Sequence, residues 1–270
     1  MSAIRVFVGV APNGSDAESA AVLDYTLHKH ASRPLEITWM ALSKDPASPF
    51  YSDPAIGAGW RTNLWPTPFS CFRNAVSEIC GFEGKAIYMD SDCLALADIA
   101  ELWDQEFLPG KCIIAKDAGR LCVSLWDCRR ARDLVLPMDL LRQVNGHQVM
   151  RQRIIQSGAV QAFEGGNFNC LDGEKYERID DPEIKVIHYT DMSAQPHLKH
   201  ALPRLAAVGQ RHWYDGPIRE HWRKDLIALF DALLSEAEAA GFARENYVPL
   251  SMFGHIPKNS LVNHPGRHPR

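Results

Sequence analysis

The chain opens on a mostly apolar run from Ile4 to Val10, followed by the turn formers Pro12, Asn13 and Gly14. Such a run reads as a strand buried on both faces. Ser15 and Glu18 then have the spacing of a capping box, and Ala21, Val22 and Tyr25 carry a helix on towards His30. Leu35 to Leu42 reads as a second strand. Between Ser43 and Thr67 the periodicity is lost to Pro, Gly and Ser, which predicts a long loop, often a functional one at that length. Thr67 and Pro68 open the next predicted helix and Gly81 closes it. A short apolar strand, Lys85 to Met89, runs straight into Asp90, Ser91 and Asp92.

Further strands are predicted at Cys112 to Ala115, Arg120 to Cys128, Ala159 to Glu164 and Lys185 to Thr190, with helices around Arg130 to Val144 and His147 to Ser157. This alternation predicts an α/β fold, a mainly parallel mixed sheet flanked by helices. From Pro217 to Gly241 a single amphipathic helix is expected, with Ile218, Trp222, Leu226, Leu229 and Leu233 on one face. That divides the chain into a main domain over residues 1–210, a helical extension over 211–246 and a mobile tail over 247–270. The extension offers itself as a surface for homo-oligomers. Its polar face carries Glu236 and Glu238 beside Arg223 and Lys224, which does not suit a membrane surface.

Composition narrows the function class. Among 270 residues, 33 acids against 29 Lys plus Arg give a net charge of −4, which argues against a nucleic-acid partner. No apolar run is long enough for a transmembrane segment, and the N-terminus lacks the pattern of a signal peptide. Seven cysteines with no CxxC pair are expected as free thiols, so a cytoplasmic location is expected. A zinc site would need closer Cys/His pairing.

Two carboxylates one residue apart, at the carboxyl end of a strand, stand where open α/β sheets bind ligands. Hard oxygen donors of this kind suit Mg²⁺ or Mn²⁺ beside phosphate. Taken alone, Asp90-Ser91-Asp92 also suits an ordinary turn. The wider run is more informative: Thr67 to Arg73, then Gly81 to Asp92, then Asp98 to Trp103. It resembles the nucleotide-sugar-binding half of GT-A-fold glycosyltransferases, and most of all the glycogenin-like and lipopolysaccharide-galactosyltransferase-like members of family eight. Downstream, Ile187 to Met192 with Gln195, Pro196 and His197 is similar to that family's C-terminal histidine motif. With gaps, the resemblance covers residues 4 to 200.

The resemblance implies a metal-dependent transfer of a hexose from a nucleotide sugar, a UDP-sugar, with retention at the anomeric carbon, to a glycan or small-molecule acceptor. It implies that Asp90, Asp92 and His188 hold Mn²⁺ or Mg²⁺. Val8, Gly9, Val10, Arg73, Met89, Asp90, Ser91 and Gln195 would line the donor, and Trp126, Asn167 and Asn169 the acceptor side. No side chain stands out as a nucleophile.

The chain also departs from the family pattern. Ala11-Pro12-Asn13 stands where the first loop often carries an acid towards the base, Asp191 replaces a glycine, and Gln195 replaces the lysine that clamps the leaving diphosphate. These departures keep open a non-catalytic nucleotide-sugar or carbohydrate-binding protein of the same fold. A metal-dependent phosphohydrolase also uses paired aspartates, but needs more His and Asp ligands. Individual residues have plainer readings too. Arg73 suits a solvated helix surface, His188 a structural histidine, Gly165 to Asn169 a simple turn, and Trp60 and Trp65 anchors for the long loop.

Overall fold

The computed structural model describes residues 2–247. Ile4–Gly9 (β1) leads through Ala17–His30 (α1) to Leu35–Met40 (β2). The long loop carries a small hairpin, Ser52–Asp53 (β3) with Ala58–Gly59 (β4), and is followed by the single turn Val76–Ile79 (α2). Lys85–Asp90 (β5), Cys93–Ala95 (β6), Ala100–Trp103 (α3), Ile113–Asp117 (β7) and Arg120–Asp127 (β8) come next. Met138–Leu141 (α4), Gly146–Ser157 (α5), Val160–Gln161 (β9), Cys170–Leu171 (β10), Val186–His188 (β11), Leu198–Ala207 (α6) and Lys224–Ala239 (α7) complete the order.

The main sheet runs β2-β1-β5-β8-β7-β9. β1 is parallel to β2 and β5, β9 is parallel to β7, and β8 is antiparallel to both its neighbours. Alternation along each strand sorts side chains between two cores. Phe7, Ala86, Tyr88 and Trp126 face Trp60, Trp65, Phe72 and Met150. Val6, Val8, Ile87 and Met89 face Ala20, Leu23 and Leu27 of α1. With both faces covered, the strands read as nearly continuous apolar runs. Trp60 and Trp65 pack edge-on to each other and to Phe72, so they anchor the long loop to the core.

Several predicted helices are shorter than the pattern suggested. Over 67–81 the chain makes i→i+3 turns, Phe72 N–H to Phe69 C=O and Ala75 N–H to Phe72 C=O, before α2. That tighter winding stacks residues three apart, which puts Phe69 and Phe72 on one line into the core. Over 130–144 Pro137 divides a 3₁₀ turn, Arg130–Asp133, from α4, because proline has no N–H to donate and disfavours helix at the preceding residue. The capping box does not form. Glu18 is buried and takes a bidentate ion pair from Arg204 at 2.7 and 2.8 Å, while Asp16 precedes α1 with its carboxylate turned away from the helix.

The expected helix over 217–241 begins only at Lys224. His221 is buried, with Nε2 3.3 Å from Asp172 Oδ1, and this draws residues 217–223 out of helical geometry. Ile218 and Trp222 are therefore exposed and lie outside the helix. Leu226, Phe230, Leu233 and Leu234 of α7 pack in one cluster with Val22 of α1 and with Ile187 and Tyr189. The apolar face is thus used inside the chain, which removes the reason for expecting an oligomer through it. Except for Tyr247, the expected tail lies outside the described residues.

Candidate functional site at the carboxyl edge of the sheet

From β1 the chain crosses through α1 to β2 on one side, and later enters β5 on the other side of β1. β1 and β5 therefore flank a topological switch point, and Gly9 is in register with Asp90 at their carboxyl ends. Just beyond, β6 pairs antiparallel with β11 so that Cys93 lies opposite His188. Tyr189 N–H donates to the Asp92 carbonyl at 3.0 Å, which seats the histidine beside the aspartate.

The two aspartates have different surroundings. Both Asp90 carboxylate oxygens accept from Arg73 Nη2 at 2.9 Å, and Oδ1 also accepts from Tyr88 Oη at 2.8 Å. The Arg73 guanidinium stands 5.1 Å from the Tyr88 ring centre and donates to Cys122 Sγ at 3.4 Å. Arg73 is not a solvated surface arginine, because it neutralises Asp90. Burial opposes its charge, but Asp90 overrides burial and holds its pKa well above the ordinary value. Tyr88 is held well above its own by burial and then by Asp90.

Asp92 turns the other way. Its Oδ2 accepts from Gln195 Nε2 at 2.6 Å, and the same amide nitrogen donates to the Tyr189 carbonyl at 2.6 Å. Gln195 therefore sits against the carboxylate rather than reaching for a diphosphate. His188 Nε2 lies 3.1 Å from Asp92 Oδ1 without the alignment of a hydrogen bond, and that buried oxygen accepts from no other donor. His188 Nδ1 is 2.9 Å from Asn169 Oδ1. Burial alone would push the imidazole down, but Asp92, then Asp90 and Asp172, outweigh it and hold the ring above its ordinary value.

A buried carboxylate oxygen without a hydrogen-bond donor, facing an imidazole nitrogen, fits a divalent cation. The thiols nearby fit it less well. Cys122 and Cys93 lie within reach of this cluster, but soft sulfur donors match Mn²⁺ or Mg²⁺ poorly; in the metal-free protein burial raises both thiols, Cys122 to about 12. For a hard cation the matching donors here are the carboxylate oxygen and the imidazole nitrogen.

The remaining residues named from sequence divide clearly. Ser91 donates to Asp16 Oδ2 at 3.1 Å, and its N–H donates to the Gly9 carbonyl at 3.2 Å. The side chains of Val8, Val10 and Met89 belong to the core, so only their backbone reaches the edge. Trp126 does not face an acceptor. It is fully buried opposite Ala86 and Ile113 in mid-sheet, its indole N–H donating to Ser124 Oγ at 2.9 Å. Asn169 is also fully buried and meets His188 rather than an acceptor. Asn167 is partly exposed and donates to Glu174 Oε2 at 3.1 Å.

Gly9 leaves no room for a side chain. A Cβ there would stand 2.5 Å from Tyr88 Oη and 2.8 Å from Phe69 Cδ2. Gly9→Ala is therefore expected to cost about 1–3 kcal/mol by overpacking and to push Tyr88 off Asp90. Chemical denaturation checks this, and unchanged stability would mean that Tyr88 has room to move.

A second cluster was not legible as a site. Trp213 Nε1 donates to Asp16 Oδ1 at 2.9 Å, and Asn13 Nδ2 donates to the Arg211 carbonyl at 2.8 Å, so residues 211–213 cover the loop after β1. His197 and His212 approach within 3.4 Å through their Nε2 atoms. Tyr214 N–H donates to His212 Nδ1, so the neutral His212 ring carries its proton on Nε2, towards His197. Burial raises Asp16 to about 6 and, with Arg204 and His200, lowers His197 to about 3. These groups satisfy one another and suit a hydrogen-bonded clasp better than a cation. The contacts span some two hundred positions, and the trace in the sequence is His197, which closes the histidine motif, with His200 and His212 beyond it.

No protein-family model matches the chain, and no curated protein matches it in sequence. Solved glycosyltransferases share its fold. An active-site mutant of LgtC aligns with a TM-score of 0.53 at 14% identity, covering 89% of this chain and 100% of that one. The bifunctional enzyme WbbM aligns at 0.52 and 14% identity over 75% of this chain, and GlyE of Streptococcus pneumoniae at 0.52 and 14% over 89%. The chain spans 49% of WbbM and 64% of GlyE. At these identities the likeness is one of fold. The GT-A resemblance and the mainly parallel α/β class are borne out at that level.

Proposed function

We propose that this protein is a metal-dependent glycosyltransferase that moves a hexose from a UDP-sugar to a glycan or small-molecule acceptor, with retention. The observation that carries the reading is the meeting of Asp92 and His188 at the switch point of a GT-A fold. Asp92 and His188 would hold the cation, whereas Asp90, the third ligand the resemblance implied, is already taken up by Arg73 and Tyr88. A carboxylate with an imidazole suits Mn²⁺ better than Mg²⁺, which favours oxygen ligands alone. When bound, the cation supplies Lewis-acid stabilisation of the charge growing on the departing diphosphate. Gln195 holds Asp92 in place, and Arg73 with Tyr88 fixes Asp90 at the end of β5. The backbone at Gly9 and Val10, at the carboxyl end of β1, would border the donor.

All seven cysteines are free, and among the described residues no helix is long and apolar enough to cross a membrane. Both facts agree with a cytoplasmic location, which is part of the proposal.

Incubation with a panel of nucleotide sugars, Mn²⁺ and candidate acceptors, read as release of free UDP, tests the activity. UDP binding without turnover on any sugar or acceptor would favour the non-catalytic alternative. Its motivation is Gln195, which here holds Asp92 where the family resemblance expects a phosphate-clamping lysine.

The pH dependence of cation binding follows from His188. Its raised pKa means that protonation stabilises the metal-free fold below the unfolded value of about 6.5, a contribution lost as pH rises through the higher folded value. A cation needs the neutral ring. Mn²⁺ affinity is therefore expected to climb as pH rises above about 6.5, with a proton released on binding. Calorimetry in two buffers of different ionisation enthalpy reads both effects. An affinity that stays flat from about pH 6 to pH 8 would contradict the assignment.

A further inference from the structure

We propose that Asn169 is a positioning residue for the cation site, its side-chain carbonyl setting the ring of His188 so that Nε2 is presented beside Asp92. The inference rests on the reading of Asp92 and His188 as ligands. Asn169 and His188 are 0% and 3% exposed, and their side chains meet at 2.9 Å between Oδ1 and Nδ1. An amide carbonyl oxygen only accepts, so the imidazole proton is drawn to Nδ1 and the lone pair is left on Nε2. Nε2 is the atom 3.1 Å from the unsatisfied Asp92 Oδ1. A ligating histidine whose other nitrogen is fixed by a buried acceptor keeps both its tautomer and its orientation.

Asn169 is itself held from two sides. Its N–H donates to Asn167 Oδ1 at 3.1 Å, and its carbonyl accepts from Lys116 Nζ at 3.2 Å. Asn167 and Lys116 converge on Glu174, by a hydrogen bond and an ion pair. Parallel pairing of β10 with β11 places Leu171 opposite His188, which brings the chain just before β10 alongside the ring. The contact therefore joins two anchored strands and does not depend on a mobile side chain.

The test is a Mn²⁺ titration of the full chain by calorimetry, comparing wild type with Asn169→Leu, Asn169→Asp and His188→Ala. Asn169→Leu keeps the size and loses the acceptor, and a loss of Mn²⁺ affinity of about 10- to 100-fold is expected. Asn169→Asp restores an acceptor at the same place, and affinity at or above the wild-type level is expected. If Asn169→Leu binds Mn²⁺ as wild type does while His188→Ala does not, the proposal is overturned. Equal losses in the Leu and Asp variants, tracking a fall in thermal stability, would overturn it too, because packing alone predicts them. If His188→Ala binds Mn²⁺ undiminished, the ligand reading fails and the proposal falls with it.

Discussion

Asp92→Asn is expected to remove Mn²⁺-assisted nucleotide binding while leaving the fold standing. The amide has the shape of the carboxylate, and its carbonyl still accepts from Gln195 Nε2, the shortest contact Asp92 makes. What it loses is the charge. Asp92 Oδ1 is buried and accepts no hydrogen bond, so the metal-free protein loses only its charge beside His188, whereas a cation would lose a ligand oxygen. We expect the gain in UDP affinity on adding Mn²⁺ to fall by at least ~100-fold, about 2.7 kcal/mol, with stability changed by less than ~1 kcal/mol. Calorimetry with and without Mn²⁺ reads the first quantity and urea denaturation the second. An undiminished Mn²⁺ effect would move the cation elsewhere.

Arg73→Met is expected to act on stability first. The guanidinium neutralises Asp90 with both side chains nearly buried, at 12% and 7% exposure. Removing one partner of a buried pair leaves an uncompensated charge, at a cost of roughly 3–5 kcal/mol. Tyr88 Oη alone would remain on that carboxylate. Adding Asp90→Asn should then recover a large part of the loss, and a double-mutant cycle by chemical denaturation measures the coupling. Arg73→Lys is not a conservative change here, because the planar guanidinium also lies near the Tyr88 ring. If Arg73→Met costs under ~0.5 kcal/mol and weakens UDP binding instead, the arginine faces the donor, as the family resemblance implied.

What the sequence disclosed follows the range of the forces involved. The strand ending at Asp90 was legible because an apolar run stops at acids. His188 was legible because it follows a second such strand and carries a motif. Tyr88 left a usable trace, since residues two apart on a strand share a face and Tyr88 does bond to Asp90. Trp126 was set on the acceptor side by the family resemblance alone, whereas pairing of β8 with both neighbours places it in mid-sheet. Asp16 carried no signal of its own between Ser15 and Glu18. Its partner Trp213 lies 197 positions away, and only the tertiary fold brings the two together. The start of α7 was hidden for a similar reason. The helical periodicity through Ile218 and Trp222 is real, but the contact of His221 with Asp172 overrides it. Asn169 was recognised as belonging near the site, yet its task depended on which ring it met.

Where the cation binds decides the matter most directly. Anomalous scattering at the manganese edge, from crystals grown with Mn²⁺ and UDP, locates it without reference to activity. A peak within about 2–2.5 Å of a carboxylate oxygen of Asp92 and of Nε2 of His188 is the predicted result. A peak among Asp16, His197 and His212, or bound UDP with no manganese beside Asp92, would contradict it.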